Sequence, residues 1–309
     1  MELSVEIAGL RLDHPVLNGS GTFDALAARR VFGDRLLEDF PFSAFVSKTI
    51  TLEPRDGNPP PRIVETPAGM INSIGLPNRG LAGFLEHDLP RLAELPVPVI
   101  VSVMGRSHDE FLRLVEGVAG RPEVAALELN ISCPNVESGL IVGQQPGETL
   151  GLLQEVRPAT RKPLIVKLTP NVAEPDAVAA AAVEGGADAV SLINTLEASA
   201  LDPTTLEPWL GAGSGGLSGA AIRAHALSQV DRVSSAVSVP VIGMGGIESG
   251  ADALAFLAAG AIAVAVGTAN FRDPTAGSRV RAELAAAITA ARSGAVSDLG
   301  RRLGASTST

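Results

Sequence analysis

Few side chains in this sequence suit proton or covalent chemistry, and they cluster in short stretches. The run Leu127–Val136, LELNISCPNV, holds Cys133, the only cysteine. It alternates as a strand does and breaks at Pro134, which puts the thiol just past a strand end. A thiol of ordinary pKa, about 8.5, serves as base or nucleophile once its surroundings favour the thiolate. The alternative is a small buried hydrophobe. Of the 24 basic residues only Lys48, Lys162 and Lys167 are lysines. Arginine evidently suffices for the solvated surface, so each lysine marks a place that needs a compact ammonium. A cation at Lys167 would stabilise an enolate or the N1–C2=O edge of a flavin. The competing role is a structural pair with a buried carboxylate. Lys48, followed by Thr49, carries similar weight.

Asn72, Asn130, Asn135 and Asn194 supply carboxamides. Converging, they suit a planar ligand with alternating N–H and C=O groups, such as a pyrimidine ring; singly, each would cap a loop. GMGG (243–246) and VGT (266–268) end two apolar runs. Glycines there let backbone N–H groups approach a phosphate, or simply permit tight turns.

These residues need a scaffold that brings strand ends together. Eight apolar or β-branched runs recur at 15–21, 44–50, 97–105, 126–132, 163–170, 189–195, 239–246 and 261–268. Amphipathic or Ala-rich helical stretches, such as 108–120 and 174–187, separate them. Strands apolar on both faces, alternating with helices, predict a parallel (β/α)8 TIM barrel, an α/β fold with its active site at the carboxyl strand ends. An open doubly wound sheet fits less well, because no G-x-G-x-x-G follows the first strand. The strand-end set is then Ser20, Lys48, Ser102, Asn130, Cys133, Asn135, Lys167, Asn194, Thr195, Gly245, Gly246, Gly267 and Thr268. It holds no His or carboxylate, and His14, His87, His108 and His225 fall elsewhere, which argues against a metal site or a His-based triad. The N-terminal LSVEIAGLRL reads as a hairpin turning at Ala8–Gly9 and plugging the barrel bottom. The insert Thr51–Gly80 is too long for an ordinary βα loop. The chain, 1–309, reads as one domain with a disordered tail at 304–309.

A formal net charge of -10 argues against nucleic acid or anionic membrane as the main partner. A single cysteine and a charged start without an apolar core point to the cytoplasm. The uncharged stretch Ala253–Phe271 nearly reaches spanning length, but its Ala and Gly content predicts a helix, a break at Gly260 and a buried strand.

Several motifs resemble one family. LNGSGTF (17–23), VSKTI (46–50), PRIVETPAGMINSIGLPN (61–78), ELNISCPNV (128–136), VKLTPNV (166–172), SLINT (191–195), GGLSG (215–219), VIGMGGI (241–247) and VAVGTANF (264–271) are similar to class 1 dihydroorotate dehydrogenases, most of all the class 1B catalytic subunit. The resemblance implies oxidation of dihydroorotate to orotate in pyrimidine biosynthesis. Cys133 would take the C5 proton, and the C6 hydride would go to N5 of FMN, one per chain. FMN would contact Ser20, Gly21, Lys48, Thr49, Ser102, Asn130, Lys167, Ile193, Gly219, Gly245, Gly246, Gly267 and Thr268. Many relatives have Asn where Ser102 stands. Substrate would contact Lys48, Asn72, Ser73, Ile74, Gly75, Leu76, Asn130, Asn135, Asn194 and Thr195, under a lid at about 137–148. Electrons would reach NAD through a separate subunit carrying FAD and [2Fe-2S], a homodimer core making a heterotetramer with it. The alternatives are a self-sufficient class 1A homodimer using fumarate, and a non-redox phosphate-binding barrel lyase or isomerase.

Overall fold

The chain opens with a hairpin, β1 (Val5–Ile7) and β2 (Leu10–Leu12), that turns at Ala8 and Gly9, both with positive φ. That geometry matches the twist of the flanking strands. The computed structural model describes residues 3–131 and 142–290. All eight expected barrel strands form: β3 (Val16–Asn18), β4 (Phe45–Val46), β7 (Val99–Val103), β8 (Val124–Asn130), β9 (Leu164–Lys167), β10 (Ala189–Leu192), β13 (Val241–Met244) and β14 (Ala263–Val266). They lie parallel in the order β3-β14-β13-β10-β9-β8-β7-β4. The last gap, between β3 and β4, is bridged by single bonds rather than a ladder. Ser43 donates its backbone N–H to the Val16 carbonyl at 3.0 Å, and the Asn18 side chain bonds Val46.

Side chains alternate along each strand. Leu127 and Leu129 point out to the helices, whereas Ala126 points in. The inner cluster contains Ala44, Ala126, Ala189 and Ala263, whose small side chains leave room for Ile7 and Leu12 from the hairpin. The hairpin is therefore the expected plug.

Helices start where local chemistry directs. Ser107 accepts the Glu110 N–H and caps the helix His108–Ala119, which buries Phe111, Leu114, Val115 and Val118 at helical spacing. A Ser249/Asp252 capping box opens the helix Gly250–Ala258. Together with β14, that helix accounts for the uncharged stretch as expected. No helix among the described residues is long and apolar enough to cross a membrane.

The structure adds a second sheet that the sequence reading lacked. Within the insert, β5 (Ile63–Thr66) and β6 (Gly69–Asn72) form a hairpin. β11 (Leu196–Ala198) and β12 (Gly215–Ser218) leave the loop after β10 and join it, in the order β11-β12-β6-β5. This antiparallel sheet roofs the carboxyl end of the barrel. The glycines of β12 hid it from a propensity reading, yet the close approach requires them: a Cβ at Gly216 would overlap the Thr195 side chain, and one at Gly215 the Asn72 carbonyl.

Candidate active site

Between barrel and roof lies a cavity of about 390 Å³. Its walls include Ser20, Gly21, Lys48, Thr49, Asn130, Lys167, Ile193, Gly219, Gly245, Gly246, Gly267 and Thr268, all expected at a cofactor. Asn72, Ile74, Gly75, Leu76, Asn194 and Thr195, expected at the substrate, line it too. Two expected residues do not. Ser102 is fully buried beneath Thr49, whose hydroxyl lies 2.9 Å from its own. Ser73 is buried in the insert, and its hydroxyl accepts from Asn58 Nδ2 at 2.9 Å. Cys133, Asn135, the lid residues 137–141 and the tail lie outside the described residues. The rest of the expected lid is a 3₁₀ turn, Val142–Gln144, followed by the start of the helix Pro146–Val156.

Lys167 ends β9 with only 6% exposure, and its Nζ donates to Ser20 Oγ at 3.2 Å. Among the described residues its side-chain bond is to a hydroxyl, which does not neutralise an ammonium, and the side chain lines the cavity. Gly21, with φ of 70°, keeps clear the space that the Lys48 side chain crosses, since a Cβ there would lie 3.1 Å from Lys48 Cδ. At the ends of β13 and β14 the wall is bare backbone. Gly245 and Gly246 have φ of 126° and 78°, conformations that L side chains rarely adopt. A Cβ on Gly246 would meet both Arg223 Cβ and the Gly219 carbonyl at 2.8 Å. A Cβ on Gly267 would meet only Thr22 Cγ2, at 3.7 Å. Such a cradle suits an anionic group bound through main-chain N–H groups.

The insert is held over the cavity by Asn78. Its Oδ1 accepts from the N–H groups of Thr51 at 3.2 Å and Gly80 at 2.8 Å. Its Nδ2 donates to Thr51 Oγ1 at 2.9 Å and to the Leu76 carbonyl at 2.8 Å. Leu76 itself has a left-handed φ of 54°, unusual for a non-glycine residue.

Sequence reasoning missed other wall residues. Gly19, Thr22, Met70, Ser218, Met244, Ala265 and Phe271 lie inside the motifs already singled out, so position within those motifs was an available signal. Ile63, at the start of β5, lies in the motif 61–78 as well, whereas Arg55 and Ile222 are brought in by the first part of the insert and the turn after β12. It also missed Glu128. This carboxylate is buried inside the barrel, two residues before Asn130 and therefore on the same face of β8.

The family model for dihydroorotate dehydrogenase matches residues 2–288. The chain belongs to the dihydroorotate dehydrogenase family. It is 49% identical over 293 residues to the protein named dihydroorotate dehydrogenase B (NAD(+)), catalytic subunit, of Desulforudis audaxviator (strain MP104C), covering 94% of this chain and 93% of that one. The same name is carried by relatives in Geotalea uraniireducens (strain Rf4), 49% identical with 89% of each chain covered, and in Geobacter sulfurreducens (strain ATCC 51573 / DSM 12127 / PCA), 47% identical with 92% of each covered. The expected resemblance to the class 1B catalytic subunit is borne out. Within the dihydroorotate dehydrogenase family, this member's cavity has two ends of different chemistry. One is a glycine-lined anion cradle with Lys167 beside it, and the other is an amide- and hydroxyl-lined recess under the roof sheet.

Proposed function

We propose that this chain oxidises dihydroorotate to orotate as the catalytic subunit of an NAD-linked, two-component dihydroorotate dehydrogenase. The observation that carries the reading is the buried Lys167 ammonium beside a bare-backbone cradle in one cavity. A cation and an anion cradle are what a flavin mononucleotide needs at its pyrimidine edge and its phosphate, so the residues present fit FMN. Gly245, Gly246, Gly267 and Thr268 would hold the phosphate. Lys48, Thr49, Asn130 and Lys167 would hold the ring, with Ser20 and Gly21 against it. Bound FMN supplies the hydride acceptor.

The chain's own residues do the rest. Cys133 is the base in this reading: as a thiolate it removes the C5 proton while the C6 hydride leaves from the opposite face. Asn72, Asn130, Asn135, Asn194 and Thr195 orient the ring through its alternating donors and acceptors. Backbone of the insert from Ile74 to Leu76 closes over it. The roof sheet excludes water and fixes the approach geometry, which supplies the orientation part of the rate enhancement.

The reading includes a partner, an iron–sulfur flavoprotein carrying FAD and [2Fe-2S], two copies of each subunit forming a heterotetramer in the cytoplasm. The deciding experiment purifies this chain alone and with that partner. The released flavin should be FMN at one per chain, and NADH should form from dihydroorotate only when the partner is added. Brisk fumarate turnover by the chain alone would replace the two-component reading with a self-sufficient one. A colourless chain that refuses FMN would defeat both.

A further inference from the structure

Glu128 is the one carboxylate found inside the barrel among the described residues lying between the hairpin plug and the cavity. It is 3% exposed. Its Oε1 accepts from Ser102 Oγ at 3.0 Å and its Oε2 from Ser191 Oγ at 3.2 Å. Both serines are fully buried. Burying a carboxylate on two neutral hydroxyls is costly, so the position calls for a role beyond packing.

An ionised carboxyl group can only accept, and each hydroxyl has one hydrogen to give. Ser102 gives its hydrogen to Glu128. Thr49 Oγ1, 2.9 Å from Ser102 Oγ, must then be the donor in that contact. With its hydrogen committed, Thr49 can only accept from Asn130, whose Nδ2 lies 3.2 Å away. Were the Asn130 carboxamide turned over, its Oδ1 would face an oxygen with no hydrogen to offer. A carboxylate at Glu128 would thus set the direction of the bonds from Ser102 through Thr49 and favour the orientation of the Asn130 carboxamide that turns Nδ2 to Thr49.

We propose that Glu128 is a positioning residue for ligand recognition: through Ser102 and Thr49 it fixes which end of the Asn130 carboxamide faces the cavity. The inference rests on the function proposed above, in which Asn130 meets the pyrimidine ring. A carboxamide held one way presents a fixed donor–acceptor pattern, and weakening that hold weakens recognition of the ring.

The test uses the full-length FMN-loaded protein with the variants Glu128→Met, Ser102→Ala and the pair together. Orotate affinity is read from the flavin absorbance change and compared with steady-state kinetics. Either single variant should weaken orotate binding and raise the dihydroorotate KM by about tenfold, with kcat held within about twofold. The double variant should be no worse than Ser102→Ala alone, because both changes cut the same relay. Orotate affinity within about twofold of the parent, or a double variant whose loss is the product of the two single losses, would overturn the inference. A fall in kcat with unchanged KM would do the same. Should Glu128→Met not fold, Ser102→Ala decides alone, since unchanged orotate affinity there means that no relay operates. A parent protein that takes up no FMN or orotate overturns the proposed function instead.

Discussion

Asn18 closes the barrel by bonding both backbone groups of Val46, donating Nδ2–H to its carbonyl at 2.8 Å and accepting its N–H on Oδ1 at 2.9 Å. A side-chain carboxamide here replaces a rung that β3 and β4 do not form between themselves. Asn18 is fully buried and Val46 nearly so, which leaves no water to take over the freed groups. Asn18→Ala should therefore cost about 2–4 kcal/mol, the penalty for stranding a buried donor and acceptor. Urea unfolding checks this; a loss under about 0.5 kcal/mol would mean that the seam does not depend on the bond.

Asn78 does for the insert what Asn18 does for the barrel, with four hydrogen bonds from one carboxamide. Asn78→Ala should destabilise the chain by about 2 kcal/mol and release Leu76 from its left-handed backbone. In the proposed reading the insert contributes the ring recess, so dihydroorotate KM should rise more than kcat falls. Unchanged KM would separate the insert from substrate binding.

Cys133→Ser should bind FMN and orotate as the parent does and slow flavin reduction by dihydroorotate by about a hundredfold or more. A serine hydroxyl is a far weaker acid than a thiol, so the remaining rate should climb with pH well beyond the parent's plateau. Rapid-mixing reduction kinetics across pH decide this, and parent-like rates throughout would remove Cys133 from the base role.

Lys167→Ala takes the buried cation out of the cavity while leaving the glycine cradle intact. FMN content after gel filtration, or the rate of its reduction, should fall by about tenfold or more. A variant that keeps both would show that the ammonium serves packing alone.

His14 gives the fold a pH dependence. It is buried, its Nδ1 accepts the Val16 N–H at 3.3 Å, and burial followed by the nearby Arg281 charge lowers its pKa from 6.5 to about 4. Asp13 and Asp39 oppose that shift in part. Between the two values the unfolded chain binds the extra proton, so stability rises with pH across this interval. The contribution is complete above about pH 6.5 and is lost as the pH falls towards 4, up to about 3 kcal/mol. Unfolding midpoints measured from pH 4 to 7 should show this slope, and His14→Asn should flatten it. A parent profile already flat there would overturn the assignment.

How much of this was legible beforehand depended on the range of the interactions. The glycines at 245, 246 and 267 and the lysines at 48 and 167 line the cavity, a placement legible in the sequence because each stands where a barrel strand ends. Ser102 was placed at the ligand by the same rule. It lies a layer lower because its strand register pairs it with Glu128, and the hydroxyl is spent on that carboxylate. Thr195 lines the cavity as expected, but the strand that begins after it could not be read, since β11 exists only by pairing with β12.

The sequence by itself determined the eight barrel strands, the helices between them and the plug hairpin, together with the chemical inventory at the strand ends. Those features rest on short-range alternation, capping and turn chemistry, which a stretch of ten residues carries whole. Only the tertiary structure decided the roof sheet, the barrel seam and the buried relay. Asn72 and Gly216 meet across 144 residues of chain, and Gly215 and Gly216 become strand because an existing ladder receives them where no Cβ would fit. Asn18 and Glu128 likewise took their roles from burial, which left each polar group one set of partners and no water to replace them.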